Sequence, residues 1–420
     1  MKSRLLTISV ALGALYFTIL PEKEPRCALD YTMNMTTEGS IEFYGYPYER
    51  HSVETEDGYT LNMIRLPHKN SQRLPVVIVH GFSAGSHSWV MMGPEGGLAY
   101  KLFNEGHDVW LADLRGNAYS IQHKTLEKND PEFWNFSFDE IGRYDHPAII
   151  DYILNETKSE KLIHAGYSMG SASYFIMNSL RPDYNAKVAA HIAMAPAVFL
   201  SNSTSAYWKL FHFLYYINKV GNPDWPGSYC HGAVADMIRA PCNFNSLGRS
   251  LCRSLASALL GPTETLKNDS LLDLVGYGGL TGSSVKTAEH FTQLHNTGRF
   301  QRFDYGESNM KHYNQSTPLE YDLSRTSVPV YIFYGSTDVV SSPQDILVLH
   351  ETLAKSNPAK VERILIDEPY FNHGDFFMSD LAGKSLNPKI VDVINKINEN
   401  YKRVKVSVIT EDKKLADKKS

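Results

Sequence analysis

The chain has 420 residues, 43% of them hydrophobic, enough to bury a large core, and this excludes a disordered polymer. Its 41 basic residues against 46 acidic leave a net charge of -5 with no dominant basic block, which excludes an electrostatic nucleic-acid binder. The only charge-rich run is the terminal EDKKLADKKS, and residues 401–420 read as a solvated charged tail.

In chain order, residues 1–20 set Lys2 and Arg4 ahead of an apolar run from Leu5 to Leu20 that ends at the charged PEKEPR. This is the layout of a secretory signal peptide, and the run is shorter than the roughly 20 residues a bilayer span requires. An uncleaved anchor is the alternative, since no small-x-small cleavage site follows; no other stretch is apolar and long enough to span a membrane. Sequons at Asn34, Asn135, Asn155, Asn202, Asn268 and Asn314, behind such a start, point to glycosylation and to a secreted or lysosomal protein. Of the cysteines Cys27, Cys230, Cys242 and Cys252, three fall in one short segment. One local disulfide is expected there, with Cys242 and Cys252 the preferred pair and free buried thiols the alternative; no spacing fits a metal site.

YTLNMIRLP (59–67) follows ETEDG and reads as one arm of an opening hairpin. Apolar runs then recur at PVVIVHG (75–81), HDVWLAD (107–113), KLIHAGYS (161–168), KVAAHIAMAP (187–196), VPVYIFYG (328–335) and VERILID (361–367). Helix-length segments lie between them, such as 138–157 and 343–356, so the spacing predicts an α/β fold with a mostly parallel sheet and crossover helices. The alternation breaks after residue 196. Residues 197–325 hold an aromatic run, YWKLFHFLYYINKV (207–220), then the cysteine cluster and a glycine-rich loop, too long a stretch to be a connection. The expected organisation is a core over 40–196 and 326–400 with a largely helical cap over 197–325, packed at the carboxyl edge of the sheet. GYGGLTG (276–282) has the wrong glycine spacing and no preceding strand for a nucleotide loop, and reads as a flexible turn.

Gly166-Tyr167-Ser168-Met169-Gly170 fits G-x-S-x-G, between a predicted strand and the helix-compatible SASYFIMNSL. That strand–turn–helix setting lifts a serine oxygen out of the sheet, and small residues two positions either side let strand and helix approach closely. A serine hydroxyl attacks poorly at neutral pH without a histidine to take its proton and a carboxylate to orient that histidine. The acid and then the histidine should follow in the chain, on loops after later strands. Asp338, just past VPVYIFYG, and His373, just past VERILID, stand in those places. Asp345 is the rival acid but falls in the next helical segment; His350 reads as a helix-face residue, and His295 and His312 as cap residues. The developing oxyanion needs backbone N–H donors, which Phe82, in the turn after the first core strand, and Met169, after the nucleophile, can supply. His80 precedes the serine in the chain and reads as a loop-shaping residue.

With these segments in hand, the chain resembles the acid lipases of the α/β-hydrolase fold, the group that contains gastric and lysosomal acid lipases and insect digestive lipases. The resemblance runs from about residue 40 to 400 and is carried by YGYPYERHSVETEDGYTL, HDVWLADLRGN, FWNFSFDEIGRYDHPAIIDYI and DYGESNMKHYNQSTPLEYDLS besides the segments above. It implies Ser168 as nucleophile, Asp338 and His373 as its partners, Phe82 and Met169 as oxyanion amides, a lidded cap, and hydrolysis of triacylglycerols or steryl esters without a cofactor or metal. A lipid ester, met at a lipid–water interface, is the implied partner. A carboxylesterase for smaller soluble esters, or a lipid-binding protein that kept the fold and lost turnover, are the other readings. Family members often carry His and Gln beside the nucleophile, where this chain has Tyr167 and Met169.

Overall fold

The computed structural model describes residues 36–221, 246–265, 281–357 and 360–417. The expected signal segment, Asn34, Asn268, Cys27, Cys230 and Cys242 lie outside the described residues. Among those described, no helix is long and apolar enough to cross a membrane.

The frame is one sheet of β1 (Glu49–Glu54), β2 (Tyr59–Leu66), β3 (Val76–Val79), β4 (Val109–Ala112), β5 (Gln122–His123), β6 (Leu162–Tyr167), β7 (Val188–Met194), β8 (Val330–Gly335) and β9 (Val361–Ile366). The order is β1-β2-β4-β3-β6-β7-β8-β9, with β5 on β2. The opening hairpin β1–β2 is antiparallel and joins β4 antiparallel; every pairing from β4 through β3 to β9 is parallel. Because β4 lies on one side of β3 and β6 on the other, the strand order reverses at β3, where open α/β sheets hold their ligands.

Alternate side chains of each strand enter two cores. Val77 and Val79 join Ile149, Ile150, Phe175 and Ile176, from α2 (His146–Thr157) and α3 (Met169–Leu180), on one face. On the other, Val76, Ile78 and Ile163 meet Ile390 and Ile394 of α4, which runs from Asn387 to Asp417 and so through most of the segment read as a tail. Between β7 and β8 the chain builds α5 (Tyr207–Gly221), α6 (Ser246–Leu260) and α7 (Val285–Thr297), and α8 (Pro343–Ser356) follows β8.

The helix expected over 138–157 runs unbroken but contains a π-turn. A turn at Phe138–Glu140 with a Ser137/Glu140 capping box leads into a π-turn at Ile141–Asp145 before α2 begins. Pro147 has no N–H to continue a regular ladder, and Gly142 lets this turn approach α3, since a Cβ there would lie 2.6 Å from the Ser173 carbonyl oxygen.

One polar file crosses the apolar interior. His146 Nε2 lies 2.7 Å from Ser173 Oγ, His146 Nδ1 3.1 Å from His164 Nε2, and His164 Nδ1 3.0 Å from His191 Nδ1. Ser173 spends its proton on the Met169 carbonyl, so each imidazole donates one way along the file and all three are neutral. Burial holds His146 and His191 down to about 3 and His164 well below its ordinary value.

Candidate active site

The loops after β3, β6, β8 and β9 converge at the carboxyl edge of the sheet. Gly166–Gly170 turns β6 into α3, and at its apex Ser168 has φ 50° and ψ -109°, a conformation that persists only when neighbours enforce it. Its N–H donates to the Met194 carbonyl at 2.8 Å. Nothing larger than glycine fits either side. A Cβ on Gly166 would lie 2.8 Å from the Gly170 backbone, and one on Gly170 would lie 2.7 Å from the His80 carbonyl oxygen.

Ser168 Oγ is 2.9 Å from His373 Nε2, and His373 Nδ1 is 2.7 Å from Asp338 Oδ2. An ionised carboxylate only accepts, so Nδ1 carries the imidazole proton, and the serine hydroxyl donates to Nε2. The other Asp338 oxygen accepts the Val340 and Ser341 amides, each at 2.8 Å. All three side chains are buried, which strengthens each bond in the chain.

Asp345 serves elsewhere. It lies in the first turn of α8, whose N-cap is Ser342, and accepts the Ser342 hydroxyl at 2.9 Å and the Asn202 N–H at 3.1 Å. His80 uses both ring nitrogens to tie two loops together: Nδ1 donates to the Gly81 carbonyl at 2.8 Å, and Nε2 accepts, from the loop after β4, the Leu114 amide at 3.0 Å and Asn117 at 3.1 Å. Burial lowers its pKa and keeps it neutral. His295 bonds the Leu200 carbonyl, and His312 stacks on Tyr305. The turn from His80 to Phe82 passes close to the serine, since a Cβ on Gly81 would lie 3.1 Å from Ser168 Cβ; Met169 opens α3.

The His373 loop leans on the segment at the end of α6. His373 N–H donates to the Leu260 carbonyl at 3.1 Å and Asn372 Nδ2 to the Gly261 carbonyl at 2.6 Å, while Thr263 and Thr265 donate to Asp375 at 2.9 and 2.6 Å. Thr337, beside Asp338, donates to the Pro262 carbonyl at 3.3 Å. Sequence reasoning passed over these braces. Main-chain amides have no side-chain signature, and the threonines stand more than 100 positions from the carboxylate they bind; the one available signal was an acid two residues after His373.

The ring of Phe82 packs against Phe211 at 5.1 Å and Phe291 at 6.0 Å, an apolar wall beside the serine. The aromatic run of α5 divides its work. Trp208 and Phe211 are buried, whereas Phe213 and Tyr216 are 52% and 63% exposed. Asn135, Asn155, Asn202 and Asn314 are exposed. Cys252 is buried on α6 and is not a free thiol.

Residues 75–369 match the alpha/beta hydrolase fold family, and residues 37–93 match a partial alpha/beta-hydrolase lipase region. Lipase 1 of Drosophila melanogaster is 33% identical over 361 residues, 85% of this chain and 79% of that one. Gastric triacylglycerol lipase of Bos taurus is 33% identical over 372 residues, covering 86% and 91% of the two chains. A soluble variant of monoglyceride lipase from Saccharomyces cerevisiae superposes with a TM-score of 0.51 at 15% identity, covering 88% of this chain and 98% of that one, a likeness of fold alone. A sheet of this order and relatives of this extent lead to one conclusion: the chain belongs to the acid lipase family of the α/β-hydrolase fold.

Proposed function

We propose that this protein is a secretory-pathway serine lipase that hydrolyses carboxylic esters of neutral lipids, triacylglycerols or steryl esters, through an acyl-enzyme. The observation that carries the reading is the unbroken chain from Ser168 Oγ through His373 to Asp338, closed by the Val340 and Ser341 amides. Ser168 Oγ attacks the ester carbonyl carbon while His373 Nε2 takes its proton, and Asp338 stabilises the imidazolium without taking that proton. The carbonyl oxygen, now an oxyanion, accepts the Phe82 and Met169 N–H groups. His373 then protonates the departing alkoxide, leaving acyl-Ser168. Water, deprotonated by His373, attacks that ester carbonyl, and as the acyl–oxygen bond breaks His373 returns the proton to Ser168 Oγ, releasing the fatty acid and restoring the resting triad.

Long acyl chains are favoured by the Phe82, Phe211 and Phe291 wall, and by the likeness to the gastric relative, a triacylglycerol lipase. In this reading residues 197–325 form the cap. Phe213, Tyr216, Leu247 and Leu251, all more than half exposed on α5 and α6, face a lipid–water interface. The exposed sequons carry glycans, and Cys252 pairs with Cys242.

A fluorophosphonate should label wild type stoichiometrically at Ser168 and leave Ser168→Ala unlabelled. Ser168→Ala and His373→Ala should each lose at least about 10³-fold in kcat while remaining folded. A panel from soluble short esters to emulsified long-chain lipids, between about pH 4 and 8, then assigns the substrate. Folded wild type that is neither labelled nor active on any ester would overturn the reading in favour of a lipid binder; turnover restricted to short soluble esters would make it a carboxylesterase.

A further inference from the structure

Tyr167 ends the strand β6, immediately before the serine, and the steps above give it no task. Its side chain is buried at 4% exposure, and its hydroxyl donates to the main-chain carbonyl of His373 at 2.8 Å. Its ring lies 5.1 Å from the imidazole, tilted by 38°, and is boxed by Trp89, Phe376 and Phe377 at 6.1, 5.9 and 5.3 Å. A Cβ on Gly81 would meet this ring at 2.8 Å, so the oxyanion turn presses on its remaining side. The phenol is therefore fixed in rotamer and direction by packing on all sides.

What it holds is the attachment of the histidine loop to the elbow itself. The other polar tethers of that loop run to residues 260–265 and to the loop after β8, the latter through His373 Nδ1 to Asp338 and the Thr337 N–H to the Phe371 carbonyl. Among the described residues, two side-chain hydrogen bonds join the His373 loop to the elbow segment Gly166–Gly170: the Nε2 to Oγ contact itself and the Tyr167 hydroxyl to the His373 carbonyl. The second ties the residue before the serine to the main chain of the histidine, so nucleophile and base share one rigid frame. Burial, with Asp338 nearby, pushes the phenol well above its ordinary pKa, which keeps it a donor at any assay pH.

We infer that Tyr167 is a positioning residue for the ester hydrolysis, which registers the imidazole of His373 on the hydroxyl of Ser168 through its hydrogen bond to the His373 carbonyl. The inference rests on the triad reading above. A misplacement of a fraction of an ångström in the base is felt in the chemical step and hardly in substrate binding.

The test is Tyr167→Phe, which removes one oxygen and keeps the ring. On a soluble ester kcat should fall roughly tenfold, equivalent to about 1.4 kcal/mol in the barrier, with KM within about twofold and the fluorophosphonate labelling rate at Ser168 falling in parallel. The thermal midpoint should move by no more than a few degrees, as the loss of one neutral hydrogen bond dictates. Wild-type kcat in Tyr167→Phe, or a loss that appears only in KM, overturns the inference and leaves the triad standing. If Ser168→Ala turns over as wild type does, the triad reading falls and this one with it.

Discussion

Ser168 is held at a positive φ that a side chain resists, at a cost on the order of 1–3 kcal/mol. The strain belongs to the backbone, so a residue without a Cβ should relieve it. Ser168→Gly and Ser168→Ala both lose the hydroxyl, yet urea unfolding should find the glycine variant more stable by about 1 kcal/mol, with neither active. A glycine variant no more stable than the alanine one would show that the elbow is relaxed. At the acid position, Asp338→Asn should lower kcat by as much as about 10⁴-fold, because an amide no longer holds the imidazole tautomer. Asp345→Asn should keep its rate and lose stability instead, since that carboxylate serves Ser342 and Asn202. Loss of turnover in Asp345→Asn with full activity in Asp338→Asn would reverse the assignment. Ser168, Asp338 and His373 were legible because each follows an apolar run in a fixed chain order. The Val340 and Ser341 amides were not, since any residue type can supply them.

The same change in helical regularity occurs twice among the described residues, at Ile141–Asp145 and at Ala382–Leu386, and each π-turn ends two residues before a proline, Pro147 or Pro388. Each also holds a glycine against a neighbouring backbone: Gly142 against Ser173 of α3, and Gly383 against Glu95. Gly142→Ala should therefore destabilise the fold by about 1–3 kcal/mol, read by urea denaturation, because its new methyl meets a carbonyl oxygen that a packed helix cannot withdraw. An unchanged midpoint would mean that the turn adapts. No periodicity argument separates a π-turn from the α-helix around it, and residues 138–157 read as one helix for that reason. The central strands were plain to read as apolar runs. β1 was missed because ERHSVE is charged and only half buried, and β5 because two residues carry no pattern.

Across the whole molecule, the histidine file through the core sets a limit on acid tolerance. In the unfolded chain each imidazole binds a proton near pH 6.5, but folded His146 and His191 wait until about 3. Between those values the unfolded state holds more protons, so stability present above pH 6.5 drains away as the pH falls toward 3, by up to about 1.4 kcal/mol per pH unit for each histidine. A proton on His146 Nδ1 or His164 Nδ1 would also set two N–H donors face to face. Urea unfolding at about pH 7 and about pH 4.5 should show this loss in wild type and a shallower one in His191→Phe; parallel losses would remove the file as the cause. The seating of residues 260–265 against the Asp338 and His373 loops has a mechanical consequence. A rigid swing of α6 that carried Leu260 with it would drag the imidazole off the serine oxygen. If the cap proposed above opens with the chemistry intact, α6 must bend upstream of Leu260, with this short strip serving as the doorframe.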